Sequence, residues 1–437
     1  MTIFNKITAL SEAMQEELIR LRRDFHKYPE LCWQEMRTTS IIARLLSDLG
    51  YEILMGEDVC DPNARLGVPS QEVLEKGYER AAQQGADMEF LPKTYGGMTG
   101  VIGILRCGEG PTVAMRFDID ALPVAENTDD THIPQKEGFA SVNPGVMHAC
   151  GHDGHAAIGM GVAKILAEIK DQLHGTVKLI FQPAEEGVRG AKPIVEKGHL
   201  DDVDFLLGSH IDARPENEPN AVLIPGSYGA LATRKYDVYY RGVAAHAGAL
   251  PHLGKNALLA AAAATVNLHA IPRHGDGSSR INVGKLIAGS GLNVIANEAY
   301  MGLEVRGETT AINEYMIECA EKILDGCAEM YGCTCEKIVV GAAEGLESDL
   351  DFAQVIRDVC KDNMGMAVSD ILTTKSFGSE DISYMMNRVQ KNGGKAAFMR
   401  CLADITGVAH NKAFDFSEDC LVNGVKAFSA MAAHLMA

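Results

Sequence analysis

The chain has 437 residues, 46% hydrophobic and 23% charged, with a formal charge of −19 at pH 7. That length exceeds what one ordinary hydrophobic core organises, so two domains are expected. The acidic balance argues against a nucleic-acid partner and leaves no basic patch for anionic lipid, and no apolar run approaches the ~18 residues needed to cross a membrane. Eleven cysteines, an odd number, are scattered from Cys32 to Cys420 without a disulfide-like framework. The N-terminal stretch carries no secretory apolar region, and a reduced, cytoplasmic compartment is the expectation.

In chain order, the first fifty residues read as helical, with Leu10, Met14, Leu18 and Leu21 at helical spacing and a break near Tyr28-Pro29. Residues 56–98 form a polar, helix-prone stretch that reads as an insertion. A hairpin-like signal follows: TGVIGILR, the turn CGEGP, then TVAMRFDID. In the second strand Val113, Met115, Phe117 and Ile119 face one way, and Ala114, Arg116, Asp118 and Asp120 the other. MHACGHDGH then runs into a helix, the buried-type strand TVKLIFQ ends at Pro183 and AEEG, and DFLLGSH ends at His210. Alternating strands and helices predict an α/β fold with a mostly parallel sheet flanked by helices.

From residue 227 the order becomes strand, helix, strand, strand, helix, strand, the ferredoxin-like plan. An inserted α+β domain is therefore expected over 227–342, with 1–226 and 343–437 forming the larger domain.

The densest group of ligand-type side chains is His148, Cys150, His152, Asp153 and His155. Cys150 and His152, two apart, can face one point on extended backbone, although an isolated C-x-H matches no standard zinc-ribbon pattern. Adjacent Glu185 and Glu186 point in opposite senses, so one can ligate while the other addresses a water. Taken alone, such a pair is usually solvated surface, and a lone His210 or His410 says little. Placement changes this, because Glu185-Glu186 and His210 fall at carboxyl ends of expected strands, where open α/β sheets bind ligands. Cys150, His152, Glu186, His210 and His410 exceed the three or four ligands of a single zinc and suit two divalent ions with a shared water. Glu185 would then be the general base.

MHACGHDGH, FQPAEEG, the strand-end His210, GVAAHAG, GSGLNVIAN and HNKAFDF, in this order, resemble the aminoacylase, hippurate hydrolase and auxin-conjugate hydrolase type of amidohydrolase within the dinuclear metallopeptidases. The resemblance covers nearly the whole chain. It extends through RRDFHKYPE, NALLAAA, GSED at 378–381 and the long segment 56–98 to the branch that cleaves p-aminobenzoyl-glutamate.

It implies metal ligation by Cys150, His152, Glu186, His210 and His410, with Glu185 as base and Asp118 beside the metals as an orienting catalytic residue. It also implies that the inserted domain acts as a lid and dimerisation unit. His246 would reach the partner subunit's site and polarise the scissile carbonyl, while Asn293 and Arg306 would hold the amino-acid carboxylate; an arginine fork matches a carboxylate.

Two divalent ions are implied, manganese first and zinc second. The implied activity is hydrolysis of N-aroyl or N-acyl amino acids, p-aminobenzoyl-glutamate foremost, in a homodimer or with a related partner chain. The alternatives are a general aminoacylase, or a chain that mainly supports a related catalytic partner. Ala296 and Ala409 stand where the family usually has proline and histidine, which bears on pocket shape rather than on the catalytic centre.

Overall fold

The computed structural model describes residues 2–376 and 378–437. Its strands begin with β1 (Glu52–Met55), β2 (Val101–Arg106), β3 (Thr112–Asp118), β4 (Thr176–Gln182) and β5 (Phe205–Ala213). β6 (Leu223–Ile224), β7 (Gly226–Ala230), β8 (Ala232–Arg241), β9 (Ser279–Ala288) and β10 (Glu298–Gly307) follow. Next along the chain come β11 (Thr334–Ala343), β12 (Leu346–Glu347), β13 (Thr373–Lys375) and β14 (Lys395–Ala403).

Seven strands form one sheet in the order β1-β2-β4-β3-β5-β14-β6. The central β4, β3, β5 and β14 are parallel to their neighbours in that group. The flanking β1, β2 and β6 pair antiparallel. The α/β expectation holds, but the hairpin does not: β4 lies between β2 and β3 and pairs with both. The alternation along β3 is real, yet both faces are covered. Ala114 and Arg116 are as fully buried as Val113 and Met115. A local pattern reports two environments; it cannot reveal a neighbour that arrives sixty residues later.

The helix His152–Glu168 packs between the sheet and the C-terminal helix Asp419–Met436. Close approach requires Gly159, where a Cβ would stand 2.6 Å from Phe181 and 2.7 Å from Phe117. Asp153 lies in the first turn, after Gly151 at φ 92°, and its side chain turns into the core rather than capping the helix. There Arg22 Nε donates to Asp153 at 2.8 Å, and its two terminal nitrogens donate to Asp415 at 2.6 Å and Glu418 at 3.2 Å. The guanidinium also sits 4.3 Å from the Phe416 ring centroid. This buried cation joins the N-terminal helix Gln15–Lys27, the site-bearing helix and the C-terminal segment.

Residues 56–98 contain the expected helix, Gln71–Gln83. Fully buried Trp33 anchors the segment, its indole N–H donating to the Leu66 carbonyl at 2.8 Å.

β8, β9, β10 and β11 form a separate antiparallel sheet in the order β11-β8-β10-β9. Helices Ala257–His269 and Thr310–Met330 cover one face of it, burying Tyr236, Val238, Met301, Leu303 and Val305. Lys235, Asp237, Glu304 and Arg306 alternate onto the uncovered face. β7 belongs instead to a three-stranded sheet with β12 and β13, so the four-stranded sheet starts at Ala232, slightly later than the 227 expected. Among the described residues no helix is long and apolar enough to cross a membrane.

Asp153→Asn leaves the Arg22 charge undercompensated in a dry interior and is expected to destabilise the protein by about 3–5 kcal/mol. Urea unfolding of the two proteins at matched metal occupancy measures it, and a difference below about 1 kcal/mol is inconsistent with this role.

Candidate metal centre

Four segments bring the candidate groups together. Gly151, in the left-handed region, turns the chain so that Cys150 precedes and His152 opens the helix. Beyond β4, Ala184 at φ 53° places Glu185 and Glu186 under the sheet edge. His210 lies within β5, which continues three residues past the end expected for it, to Ala213. His410 itself adopts φ 66° and donates its backbone N–H to the Ala149 carbonyl at 2.8 Å. Non-glycine residues in this region are strained, and such strain gathers at functional sites.

Cys150, His152 and His210 offer ligand atoms that all lie within 4.8 Å of one another. Cys150, Glu186 and His410 do the same, as do His152, Glu185 and Glu186. Two of these groups share Cys150, so the five atoms form one continuous patch rather than dispersed pairs.

Ring orientation supports ligation. His152 Nδ1 faces the Asp120 carbonyl at 2.9 Å and His210 Nδ1 faces the Ile211 carbonyl at 2.6 Å. A carbonyl can only accept, so each Nδ1 donates to it and each Nε2 is the nitrogen left to the cluster. His152 Nε2 and Glu186 Oε1 are buried without hydrogen-bond partners. Buried acceptors left bare in this way fit cations. His155 is different. Its Nε2 accepts from the Ile211 N–H at 2.8 Å and its Nδ1 meets Asp118 at 2.5 Å, so both nitrogens are occupied.

Burial dominates the electrostatics. It holds the His210 pKa well below the ordinary imidazole value, with His155 and Arg400 adding to it, so the ring is neutral. Burial likewise lowers His148 to about 4. Glu185 is pushed well above the carboxylate range by burial, then by Glu380, Glu186 and Asp381. Glu186 is raised to about 7, again mainly by burial. Burial also opposes the charged form of Asp118, yet Arg116, His152 and His155 together hold its pKa well below the usual range. Asp118 therefore stays an anion bonded to Arg116 at 2.6 Å and to His155, which suits an orienting role.

Three further acids shape the centre, two of them inside the GSED stretch, and their role is not declared by the sequence around them. Asp120 accepts from the backbone N–H groups of Glu185 at 3.0 Å and Glu186 at 2.9 Å, while its own carbonyl orients His152. The alternation that places Asp120 beside Asp118 is the one available clue. Glu380 and Asp381 come within 4.8 Å of Glu185 through a carboxylate oxygen each. Both bond Arg116, at 3.0 and 3.1 Å, and Asp381 also accepts from the N–H groups of Gly190 and Ala191. No short-range pattern links them to the EE pair.

His246, expected from the inserted domain, belongs to none of these ligand groups among the described residues. His246 and Asn293 are exposed on adjoining loops, joined by the Ala247 N–H donating to the Asn293 carbonyl at 2.9 Å. His246 Nδ1 accepts from the N–H groups of Gly248 and Ala249 at 3.1 Å each, which leaves Nε2 as the protonated, outward nitrogen. Arg306 is held in its own strand by Glu304, with two contacts of 3.0 Å.

A patch of thiol, imidazole and carboxylate donors at the carboxyl edge of a parallel sheet, with a spare buried glutamate beside it, defines a metal-dependent amide hydrolase. Residues 114–434 match Peptidase family M20/M25/M40, and the chain belongs to that family. It is 43% identical over 417 residues to the indole-3-acetyl-aspartic acid hydrolase of Enterobacter agglomerans, covering 95% of each chain. It is 41% identical over 421 residues to one of the named subunits of the p-aminobenzoyl-glutamate hydrolase of Escherichia coli, covering 96% of each. Among solved structures, the aminobenzoyl-glutamate utilization protein of Klebsiella pneumoniae superposes with TM-score 0.83 at 37% identity, with 97% of each chain covered. A Bacillus subtilis dinuclear metal binding peptidase from the M20 family superposes with TM-score 0.65 at 25% identity, covering 97% of this chain and 99% of its own.

Asp120→Ala removes the acceptor that positions both glutamates and is expected to weaken divalent-metal affinity about 10- to 100-fold. Competitive titration against a chelating dye reads this directly; unchanged affinity would show that Asp120 is dispensable for the centre.

Proposed function

We propose that this chain hydrolyses the amide bond between an aroyl or acyl group and an amino acid, with p-aminobenzoyl-glutamate the first substrate to test. The observation that carries the reading is the undispersed patch of Cys150, His152, Glu186, His210 and His410 with Glu185 at its edge. Relatives named for amide-linked aspartate and glutamate, at 43% and 41% identity over almost the full chain, support the substrate class.

Cys150, His152, Glu186, His210 and His410 would hold two divalent ions, which when bound supply a Lewis acid and lower the pKa of water. Manganese is the first choice and zinc the second, since imidazole and carboxylate donors accept either while one thiolate leans toward softer ions. Glu185 takes the proton of the water that attacks the carbonyl carbon and returns it to the departing nitrogen. Its place beside His152 and Glu186 at the edge of the patch suits both halves of that exchange. Asp118 and Asp120 keep His152 and the glutamates in place.

The inserted unit over 227–342 acts as a lid and dimerisation domain. His246 serves the site of a partner chain, its protonated Nε2 donating to the scissile carbonyl oxygen. Leu250, Leu253, Leu292 and Val294, exposed close to it in sequence or across the adjoining loop, support burial of that tip in a dimer. Asn293 and Arg306 receive the α-carboxylate, which requires Arg306 to exchange its Glu304 contact for substrate.

Glu185→Ala should retain two metals per chain and lose turnover of p-aminobenzoyl-glutamate by at least about 100-fold. Metal analysis beside the assay decides this, and near wild-type turnover would remove Glu185 as the base. Mixing His246→Ala chains with Glu185→Ala chains creates hybrid dimers with one intact composite site. Recovered activity in the mixture is expected; none after confirmed chain exchange would refute the trans role.

A further inference from the structure

Two cations near the candidate metal centre have no ion-pair partner among the described residues. Arg189 lies three residues beyond Glu186, and its guanidinium packs over two glycines. A Cβ on Gly187 would stand 2.8 Å from Arg189 Nε, and one on Gly67 would stand 2.9 Å from it. Both glycines have positive φ, 84° and 58°, so the backbone is shaped to admit the fork. Its one side-chain hydrogen bond among the described residues is long, Nη1 to the Gly67 carbonyl at 3.4 Å. Its Nε is buried with no partner.

Lys235 approaches from the lid. It stands opposite Glu304 on the uncovered face of the four-stranded sheet. Its Cδ lies 3.3 Å from the point where a Cβ on Gly341 would stand, and the Gly187 carbonyl oxygen is 2.1 Å from that same point. The charges acting on it are those of Glu304, Glu185, Arg306 and Arg189. Among the described residues no carboxylate comes within ion-pair distance of either cation, although partly buried charges are costly without one.

Arg189 also lines a cavity of about 270 Å³ with Leu31, Gln34, Pro69, Leu122 and Glu186. Its lining therefore includes a candidate metal ligand, Glu186, and one residue of the 56–98 segment, Pro69. A planar fork with a free N–H, apolar walls and a second cation beside the Gly187–Gly341 contact together match a carboxylate carried on a short aliphatic arm.

We propose that Arg189 and Lys235 form a subsite for the side-chain carboxylate of a dicarboxylic amino acid, making the enzyme selective for amides of glutamate or aspartate over neutral amino acids. The inference rests on the hydrolytic reading above and adds the residues that choose the amino acid. The α-carboxylate goes to Asn293 and Arg306, and the methylenes lie along Leu31, Leu122 and Pro69. The segment 56–98 thereby gains a role in selectivity, its Gly67 carbonyl and Pro69 ring holding Arg189 toward the cleft.

The test compares kcat/KM of the metal-loaded wild type, Arg189→Gln, Arg189→Lys and Lys235→Met. The four amides are p-aminobenzoyl-glutamate, p-aminobenzoyl-glutamine, N-acetyl-glutamate and N-acetyl-glutamine. The glutamate-to-glutamine ratio should fall about 10- to 100-fold in Arg189→Gln and Lys235→Met, carried mainly by KM, with partial recovery in Arg189→Lys. Equal losses on glutamate and glutamine amides, or losses that follow the p-aminobenzoyl group whichever amino acid is attached, would overturn the proposal. So would an unchanged ratio in variants that keep wild-type melting temperature and metal content. Calorimetry with free L-glutamate and L-glutamine reads the subsite without turnover. If the wild type hydrolyses none of the amides, the hydrolytic reading fails, and calorimetry still decides: tighter glutamate binding lost in both variants supports the subsite, and no preference in the wild type overturns it.

Discussion

The centre hangs on the Asp120 carboxylate, which accepts the N–H groups of both Glu185 and Glu186 while its main-chain carbonyl orients His152. A carboxylate accepting backbone N–H groups in a dry interior is strongly directional. It sets where two adjacent glutamates point and which nitrogen of a neighbouring imidazole is bare. Cys32 adds to the same knot, its single thiol hydrogen within reach of Asp120 at 3.2 Å or the Glu186 carbonyl at 3.0 Å. The candidate ligands are thus oriented before any cation arrives, which reduces the ordering cost of binding one.

The interior around this knot holds more negative charge than its own cations balance. Arg116 is shared among Asp118, Glu380 and Asp381, with His155 also on Asp118, and among the described residues Glu185 shares that space without an ion pair to a lysine or arginine. Buried acids in such surplus raise one another's proton affinity. The surplus is the electrostatic counterpart of the bare acceptors His152 Nε2 and Glu186 Oε1: the site is built to be completed by positive charge. The Arg22 cluster behind the helix His152–Glu168 is different in kind, since its cation meets an acid at each of its three nitrogens. One cluster holds the scaffold; the other is kept incomplete where chemistry occurs.

The inserted sheet carries the same division. Its helix-covered face is apolar core, and its other face presents Lys235, Glu304 and Arg306. Its β11 is tied to the site loop, the Ala342 N–H donating to the Val188 carbonyl at 2.8 Å. The inserted sheet is therefore joined directly to the loop that carries Glu185, Glu186 and Arg189.

Element types, the ferredoxin-like order and the donor residues were legible in the chain itself, because hydrophobic period and side-chain chemistry are local properties. MHACGHDGH and AEEG declare a thiol, imidazoles and carboxylates wherever they are written. Pairing was not legible: β4 separates β2 from β3, and a strand's own alternation is blind to which neighbour it will meet. Nor were Asp120, Glu380 and Asp381 as supports, or Arg189 beside Gly67, since each contact joins segments dozens to hundreds of residues apart. The order of residues alone dictates which groups can bind, bond or titrate. That they meet, which lone pairs stay bare and which cations are left without an anion are consequences of the three-dimensional packing, which brings distant segments into one dry volume.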